Sequence, residues 1–454
     1  MSVDSIREER TQIYHDIFDG IIPKRVPIEQ SFTPFSVAQY AGIDPRICYW
    51  TPDVLLDKAM EIADRIHTDK NPFGFSILSP ARYEALGAKS IVMASNGFMQ
   101  HPNTHMMEPE EYDEFIKDPL AFIVEKGFPR VYKNLDFNNN PALAILTLSI
   151  AEKRSADTSA KSFSVSKALD EKYGYCQIPK VPGGYAPMDI LTDELRSFSG
   201  MLVDLRRRRE KVIEAVEAFS PINYWDCLPE DLEHISRYGA GSNSLHMATF
   251  MRPKDFQEIY WPAYKRQVES LASEGIRCLA FLEEDWTNLL DYVYELPVGT
   301  EVMLEKADPK LAKEKLGKKH ILCGGFPIEY LSQLTKEEAA DKAKEFIDIM
   351  APGGNYIFSL NKGILCAADC NLDNFEAVIE TVLERGVYSN AGEKTGMPYH
   401  KEDYQNANFA PIKSRVFTSW EDYLEENPYT PTEAKETIRR SMKNMISSIL
   451  FLMK

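Results

Sequence analysis

The stretch IRCLAFLEEDWTNLLDYVYELPVGTEVMLEK, residues 276–306, decides the fold. Ile276 to Leu282 is an apolar run short enough for a buried strand, and it stops abruptly at Glu283, Glu284 and Asp285. A helix from about Trp286 to Glu295 ends before Pro297, and Val302, Met303 and Leu304 form a second strand that ends in Glu305. The alternation continues on both sides. Upstream, Arg252 and Pro253 open a helix that buries Phe256, Ile259, Tyr260 and Val268 and stops at Gly275. Downstream, Ile321-Leu322-Cys323 runs into Gly324-Gly325, and a helix from about Lys336 to Met350 closes at Pro352-Gly353-Gly354. A strand from Tyr356 to Leu360 and a helix from Asn374 to Glu384 complete the series.

Strand–helix units in tandem, without hairpin turns, require parallel strands joined by crossover helices. A doubly wound sheet would satisfy that alternation. The length of 454 residues and the chemically capable residues at successive strand ends favour a closed (β/α)8 TIM barrel with its site at the carboxyl ends of the strands. The first half is less regular. Arg25 to Ser31 reads as the first strand, Pro52 to Ile66 as a helix capped by Thr51, residues 150–185 as a polar excursion, and Leu191 to Phe219 as one long amphipathic helix. The division expected is a barrel over 1–388 with an N-terminal helical extension, then a C-terminal extension over 389–454. The latter ends in an amphipathic helix whose stripe of Ile438, Met442, Met445, Ile449 and Leu450 packs on the barrel rather than on a second subunit. A homo-oligomer stays open.

Composition narrows the function classes. A net charge of −17 repels phosphate backbones and anionic lipid, which argues against nucleic-acid and membrane partners. Seven scattered cysteines read as free thiols in a reducing compartment, and the Cys366/Cys370 pair alone is weak evidence for metal. The N-terminal residues lack the apolar core of a signal peptide and no run approaches the ~20 apolar residues of a spanning helix, so a cytoplasmic location is expected.

Chemistry concentrates where strands end. Glu283, Glu284 and Asp285 repel one another and require water, a basic partner or a cation beside them; Glu283 and Asp285 are the candidate catalytic carboxylates. Glu305 ends the next strand, with Lys306 beside it as an alternative ion-pair partner. His246, in SNSLHMATFM, falls in a loop at the same rim, and Cys323 closes a further strand. A neutral imidazole with two carboxylates and an open position is the composition of a catalytic Zn2+ site. The candidate metal ligands are His246, Glu283 and Glu305, with Cys323 and Asp285 in reserve.

The segments ILCGGFPIEYLSQLTKEEAADKAKEFIDIMAPGGNYIFSLNKGIL and NLDNFEAVIETVLERGVY resemble the uroporphyrinogen decarboxylase-like superfamily. YAPMDILTDELRSFSGMLVDLRRRREKVIEAVEAF looks like its third barrel unit. The resemblance covers roughly residues 15–388. Decarboxylases of that superfamily carry an arginine-rich N-terminal loop that grips porphyrinogen carboxylates, whereas VPIEQSFTPFSVAQYAG has no arginine between Arg25 and Arg46. Thiol-directed methyltransferases carry a His-x-Cys zinc motif after the fifth strand, where this chain has Phe281-Leu282-Glu283. FLEEDWTNLLDYVYELPVGTEVMLEKAD is instead similar to the corrinoid-dependent O-demethylase methyltransferases, with Glu284 standing where they have glycine. The resemblance implies transfer of a methyl group from a small methylated substrate, an aryl methyl ether first and a methylated amine second. The acceptor is the cobalt of a corrinoid supplied by a partner protein, with Zn2+ activating the leaving group. The competing expectations are a decarboxylase or other lyase using Glu283 and Asp285 as acid and base, and a barrel that only binds.

Overall fold

The computed structural model describes residues 2–73, 78–229, 231 and 234–453. A two-stranded antiparallel hairpin, β1 (Val92–Met93) with β2 (Met99–Gln100), lies outside the main sheet. Six parallel strands follow in sequential order: β3 (Gly184–Tyr185), β4 (Gly241–Leu245), β5 (Cys278–Leu282), β6 (Glu301–Leu304), β7 (Ile321–Gly324) and β8 (Tyr356–Ile357).

Two irregular segments close the sheet into a ring. Glu29 N–H donates to Phe358 O at 2.9 Å and Phe358 N–H to Pro27 O at 2.8 Å, so residues near Ile28 lie along β8. Asp69 N–H then donates to Ile28 O at 2.7 Å, and Cys176 N–H to Asp69 O at 2.9 Å, which carries the ring on toward β3. With these two segments the barrel has its eight strand positions. The helix Val3–Phe18 plugs its amino-terminal end, where Tyr14, Ile17 and Phe18 pack with Ile321, Cys323 and Ile357.

Register sets what points inward. Ser242, Leu279, Glu301 and Ile321 are paired across β4 to β7 in one row, and Ser244, Phe281, Met303, Cys323 and Ile357 in the next. The alternate residues Cys278, Ala280 and Leu282 are buried on the outside, under the helices. Among these inward rows Glu301 is unusual: it is 2 % exposed and its carboxyl is pushed up by burial.

Between 253 and 387 the elements expected from the sequence stand. The helix Lys336–Met350 begins with a complete capping box, Thr335 with Glu338. The polar excursion at residues 150–185 is mostly helical, as part of the 33-residue helix Pro141–Tyr173. Two expectations in the first half need correction. The long helix expected from Leu191 to Phe219 is broken: a π-helical turn Leu191–Arg196 ends at Ser197 (φ 64°), and Phe198–Arg207 and Arg209–Cys227 are separate helices. The break is held by a buried ion pair, Arg196 to Asp204 at 2.6 Å. Thr51 gives no side-chain cap, its hydroxyl donating back to Ile47 O at 3.0 Å.

The C-terminal helix Thr432–Met453 packs on this chain, burying Ile446, Ile449, Leu450, Leu452 and Met453. Met445, expected in that stripe, is 40 % exposed, the helix being turned so that Ile446 takes the inner position. Tyr132 OH donates to Leu452 O at 2.6 Å. Among the described residues no helix is long and apolar enough to cross a membrane. Cys366 and Cys370 belong to a turn and, among the described residues, to no donor cluster; Tyr40 OH donates to Cys370 O at 2.6 Å.

Candidate functional site

Continuing the register one step past the strand ends places His246, Glu283 and Glu305 in a single inward row on three neighbouring strands, since Leu245 pairs with Leu282 and Leu282 with Leu304. This is the carboxyl-terminal rim of the barrel. Neighbours hold each residue of the row. The Asp193 carboxylate meets His246 Nδ1 at 3.0 Å, and no hydrogen bond is made by Nε2 among the described residues. The backbone carbonyl of Glu283 accepts from the buried Trp286 indole at 2.9 Å. Glu305 Oε2 accepts from the Glu284 backbone N–H at 2.6 Å.

Asp189, wholly buried four residues before Asp193, fixes the loop that carries the histidine. It accepts from Tyr260 OH at 2.6 Å, from Met247 N–H at 2.9 Å and from His246 N–H at 3.1 Å. Burial pushes its carboxyl up to about 7 despite these donors, with the nearby Asp193 adding to the rise. The hydrogen bond to Asp193, together with the charges of Asp193, Glu283 and Asp189, raises the His246 imidazole to about 9 against the opposing effect of burial. Glu283 is raised as well, chiefly by burial and further by Glu305 and Asp193, while His246 and Ser244 oppose the rise. Carboxylates thus outnumber cationic groups at this rim, an environment that favours positive charge.

The candidate ligands are distributed as follows. His246, Glu283 and Glu305 share the rim row, but their donor atoms are not gathered within 4.8 Å of one another. Cys323 lies one inward row deeper, 1 % exposed, with its thiol within 4.8 Å of a Glu301 carboxylate oxygen; strand register puts it below the rim. Donor atoms of Glu29, Glu301 and Cys323 do lie within 4.8 Å of one another. Lys70 Nζ already sits 2.5 Å from Glu29 Oε2, so that cluster carries its own cation and is an interior ion pair. Asp285 is exposed and turned away from the row; its Oδ1 accepts from the Thr287 N–H at 2.9 Å and hydroxyl at 2.5 Å. It caps a turn, as aspartate does in such positions. Lys306 pairs with Glu284 at 2.7 Å and not with Glu305.

The rim row carries the donor types of a Zn2+ site, although its donor atoms stand farther apart than ligands around one ion. One imidazole is oriented through Nδ1 by a carboxylate, and two further carboxylates are adjacent, the arrangement in which outer carboxylates fix a ligating histidine.

The family model for uroporphyrinogen decarboxylase (URO-D) matches residues 242–385, the span from β4 through the last barrel helix. The match supports the uroporphyrinogen decarboxylase-like superfamily. No curated protein matches the chain. All three residues of the rim row lie inside the matched span, while Asp189 and Asp193 precede it.

Glu284 adopts φ 66°. A left-handed backbone costs a residue with a Cβ roughly 1–2 kcal/mol, and the exposed Lys306 pair returns about 0–1 kcal/mol. Glu284→Gly is therefore expected to be as stable as wild type or slightly more so, and about 1 kcal/mol more stable than Glu284→Ala. Denaturant unfolding of the two variants checks this; equal stabilities would contradict the strain.

Proposed function

We propose that this chain is a methyltransferase that removes a methyl group from a small methylated substrate, foremost an aryl methyl ether, and passes it to the cobalt of a corrinoid carried by a partner protein. The observation that carries the reading is the row of His246, Glu283 and Glu305 at the barrel rim with Asp193 behind the histidine. His246 Nε2, Glu283 and Glu305 would hold the metal. When bound, Zn2+ supplies Lewis acidity to the departing oxygen, the poor leaving group that limits ether cleavage.

The protein's own groups position the substrate. Phe198 stacks at a tilt beside His246, with ring centroids 5.7 Å apart, and meets Phe250 edge to face at 5.0 Å. Phe250 is 47 % exposed, so an apolar ring edge stands open next to the row and suits an aryl group. Asp193 keeps the imidazole in one orientation, and the Trp286 indole and Glu284 amide keep Glu283 and Glu305 in place.

The reading also accounts for what the site lacks. A porphyrinogen with eight carboxylates would meet Asp193, Glu283 and Glu305 without guanidinium clamps. Arg25, at the edge of the segment where the clamps would lie, is held bidentate by Asp69 at 2.6 and 2.8 Å. This weighs against the decarboxylase alternative.

Replacing Glu305 tests the row. Glu305→Gln is expected to lower methyl-transfer rate or metal affinity ~10–100-fold, the range for disturbed metal groups, while Lys306→Ala, which breaks only the surface pair with Glu284, leaves both unchanged. Equal small effects in assays of metal content and methyl transfer would remove Glu305 from the site.

A further inference from the structure

At the opposite, amino-terminal end of the barrel the structure holds a cavity of about 440 Å³ that the methyl-transfer reading does not use. Arg277 lines it, one residue before β5, and so about one strand length, roughly 20 Å, from Glu283 at the other end. The Arg277 guanidinium is sandwiched between rings: its carbon is 5.3 Å from the Phe18 centroid and 4.8 Å from that of Tyr399. One edge rests on Gly299, where a Cβ would come within 3.1 Å of Nη1. Among the described residues Arg277 makes no ion pair, and its buried Nε has no hydrogen-bond partner. Burial lowers its pKa, yet a guanidinium stays charged in a protein. A caged, unneutralised cation in the wall of a cavity is what a planar oxyanion recognises.

The remaining lining agrees. Arg237 and Lys394 also line the cavity, against Asp19 as its one carboxylate among the described residues, in a chain whose net charge is −17; Lys319 lines it too, but its Nζ donates to Tyr294 O at 2.7 Å, outside that lining. Asp19 is already engaged, by Arg237 at 3.0 Å and by Tyr238 OH at 3.2 Å. Lys394 makes no ion pair among the described residues. The positive excess exceeds what one monocarboxylate neutralises and matches a dianion. The volume exceeds that of bare phosphate, and the Tyr399 ring and Met397 offer an apolar surface beside the charge. The wall that carries Lys394 and Tyr399 comes from the irregular stretch after Val387, which the catalytic rim does not involve.

We propose that this cavity is a second ligand site that binds the phosphate group of a small phosphorylated metabolite on Arg277, with Lys394 and Arg237 at its mouth. The test is calorimetric titration of the full chain at low ionic strength with phenyl phosphate, inorganic phosphate and acetate. Phenyl phosphate is expected to bind saturably at one site per chain, more tightly than inorganic phosphate, with acetate weakest. Arg277→Gln should weaken it ~10-fold or more, as loss of a charge-assisted fork does, and Lys394→Glu should weaken it several-fold. Should Arg277→Gln fail to fold, Arg277→Lys, which keeps the charge and loses the fork, decides together with Lys394→Glu. Absence of saturable binding, or binding indifferent to both substitutions, overturns the site. Phenyl phosphate binding no tighter than inorganic phosphate overturns its assignment to a phosphate ester.

Discussion

Replacing His246 by alanine is expected to abolish metal retention and to reduce methyl transfer ~100-fold or more, without unfolding the protein. The size follows from position. Disturbing a group behind a metal ligand costs ~10–100-fold, and removing the ligand itself costs at least as much. Asp193→Asn, which keeps the shape and weakens the hold on Nδ1, is therefore the milder change and falls in the 10–100-fold range. Glu283→Gln should resemble His246→Ala, because the two are neighbours in the rim row. Stability should barely move in His246→Ala, since the side chain is 38 % exposed and its loop is pinned through backbone amides on Asp189. Elemental analysis of the purified variants beside wild type, which is expected to hold about one equivalent of Zn2+, reads the result. Wild-type metal content and rate in both His246→Ala and Glu283→Gln would contradict the row as a metal site.

The largest effect on folding is expected from Asp69→Asn. Asp69 joins the two irregular strand positions that close the barrel: its carboxylate accepts from Ile28 N–H at 2.8 Å and from both Arg25 nitrogens, and Arg10 Nε lies 3.6 Å away. The Asp69 side chain is fully buried, and those of Arg10 and Arg25 are 10 % and 13 % exposed. Removing the negative partner leaves buried guanidiniums unpaired, a change that costs about 3–5 kcal/mol. The pH dependence has a definite sign. Burial alone would raise the Asp69 carboxyl, but Arg25 and His67 outweigh it and hold it well below the usual carboxylate range. A depressed folded pKa stabilises the native state above the unfolded value of about 3.9 and loses that contribution as pH falls below it. The gap between wild type and Asp69→Asn should thus be full at neutral pH and shrink in acid below about pH 4. Denaturant midpoints at several pH values measure it; a gap under about 1 kcal/mol at neutral pH would contradict the barrel-closing role.

How much of this was legible in the sequence depended on range. From 253 to 387 each strand is an apolar run bounded by glycine, proline or acid, and each helix has a cap or a stop, so local signals and final elements coincide. Glu283 and Glu305 were legible for the same reason, as carboxylates that end apolar runs. The break at Ser197 was not, because neither glycine nor proline marks it and the Arg196–Asp204 pair forms only in the fold. Asp193 went unread although Asp189 and Asp193 stand four apart on one helical face; only the approach of the β4 loop shows what they hold. Glu301 begins a strand, a position that reads as solvent-facing, and it becomes interior only when barrel closure brings Glu29 and Lys70 opposite. Cys323 and Asp285 show the converse case. Both are chemically capable and adjacent in sequence to a strand end, yet register sends one below the rim and a capped turn sends the other outward.

The central claim is tested most directly by spectroscopy of a reduced corrinoid protein mixed with this chain and an aryl methyl ether. The expected result is conversion of the reduced corrinoid spectrum to that of the methylated form, with release of the phenol. Conversion should require both the chain and the ether and should be lost in His246→Ala. Turnover of substrate without any corrinoid protein, or release of CO2 from a carboxylated substrate in its place, would contradict the methyltransferase reading.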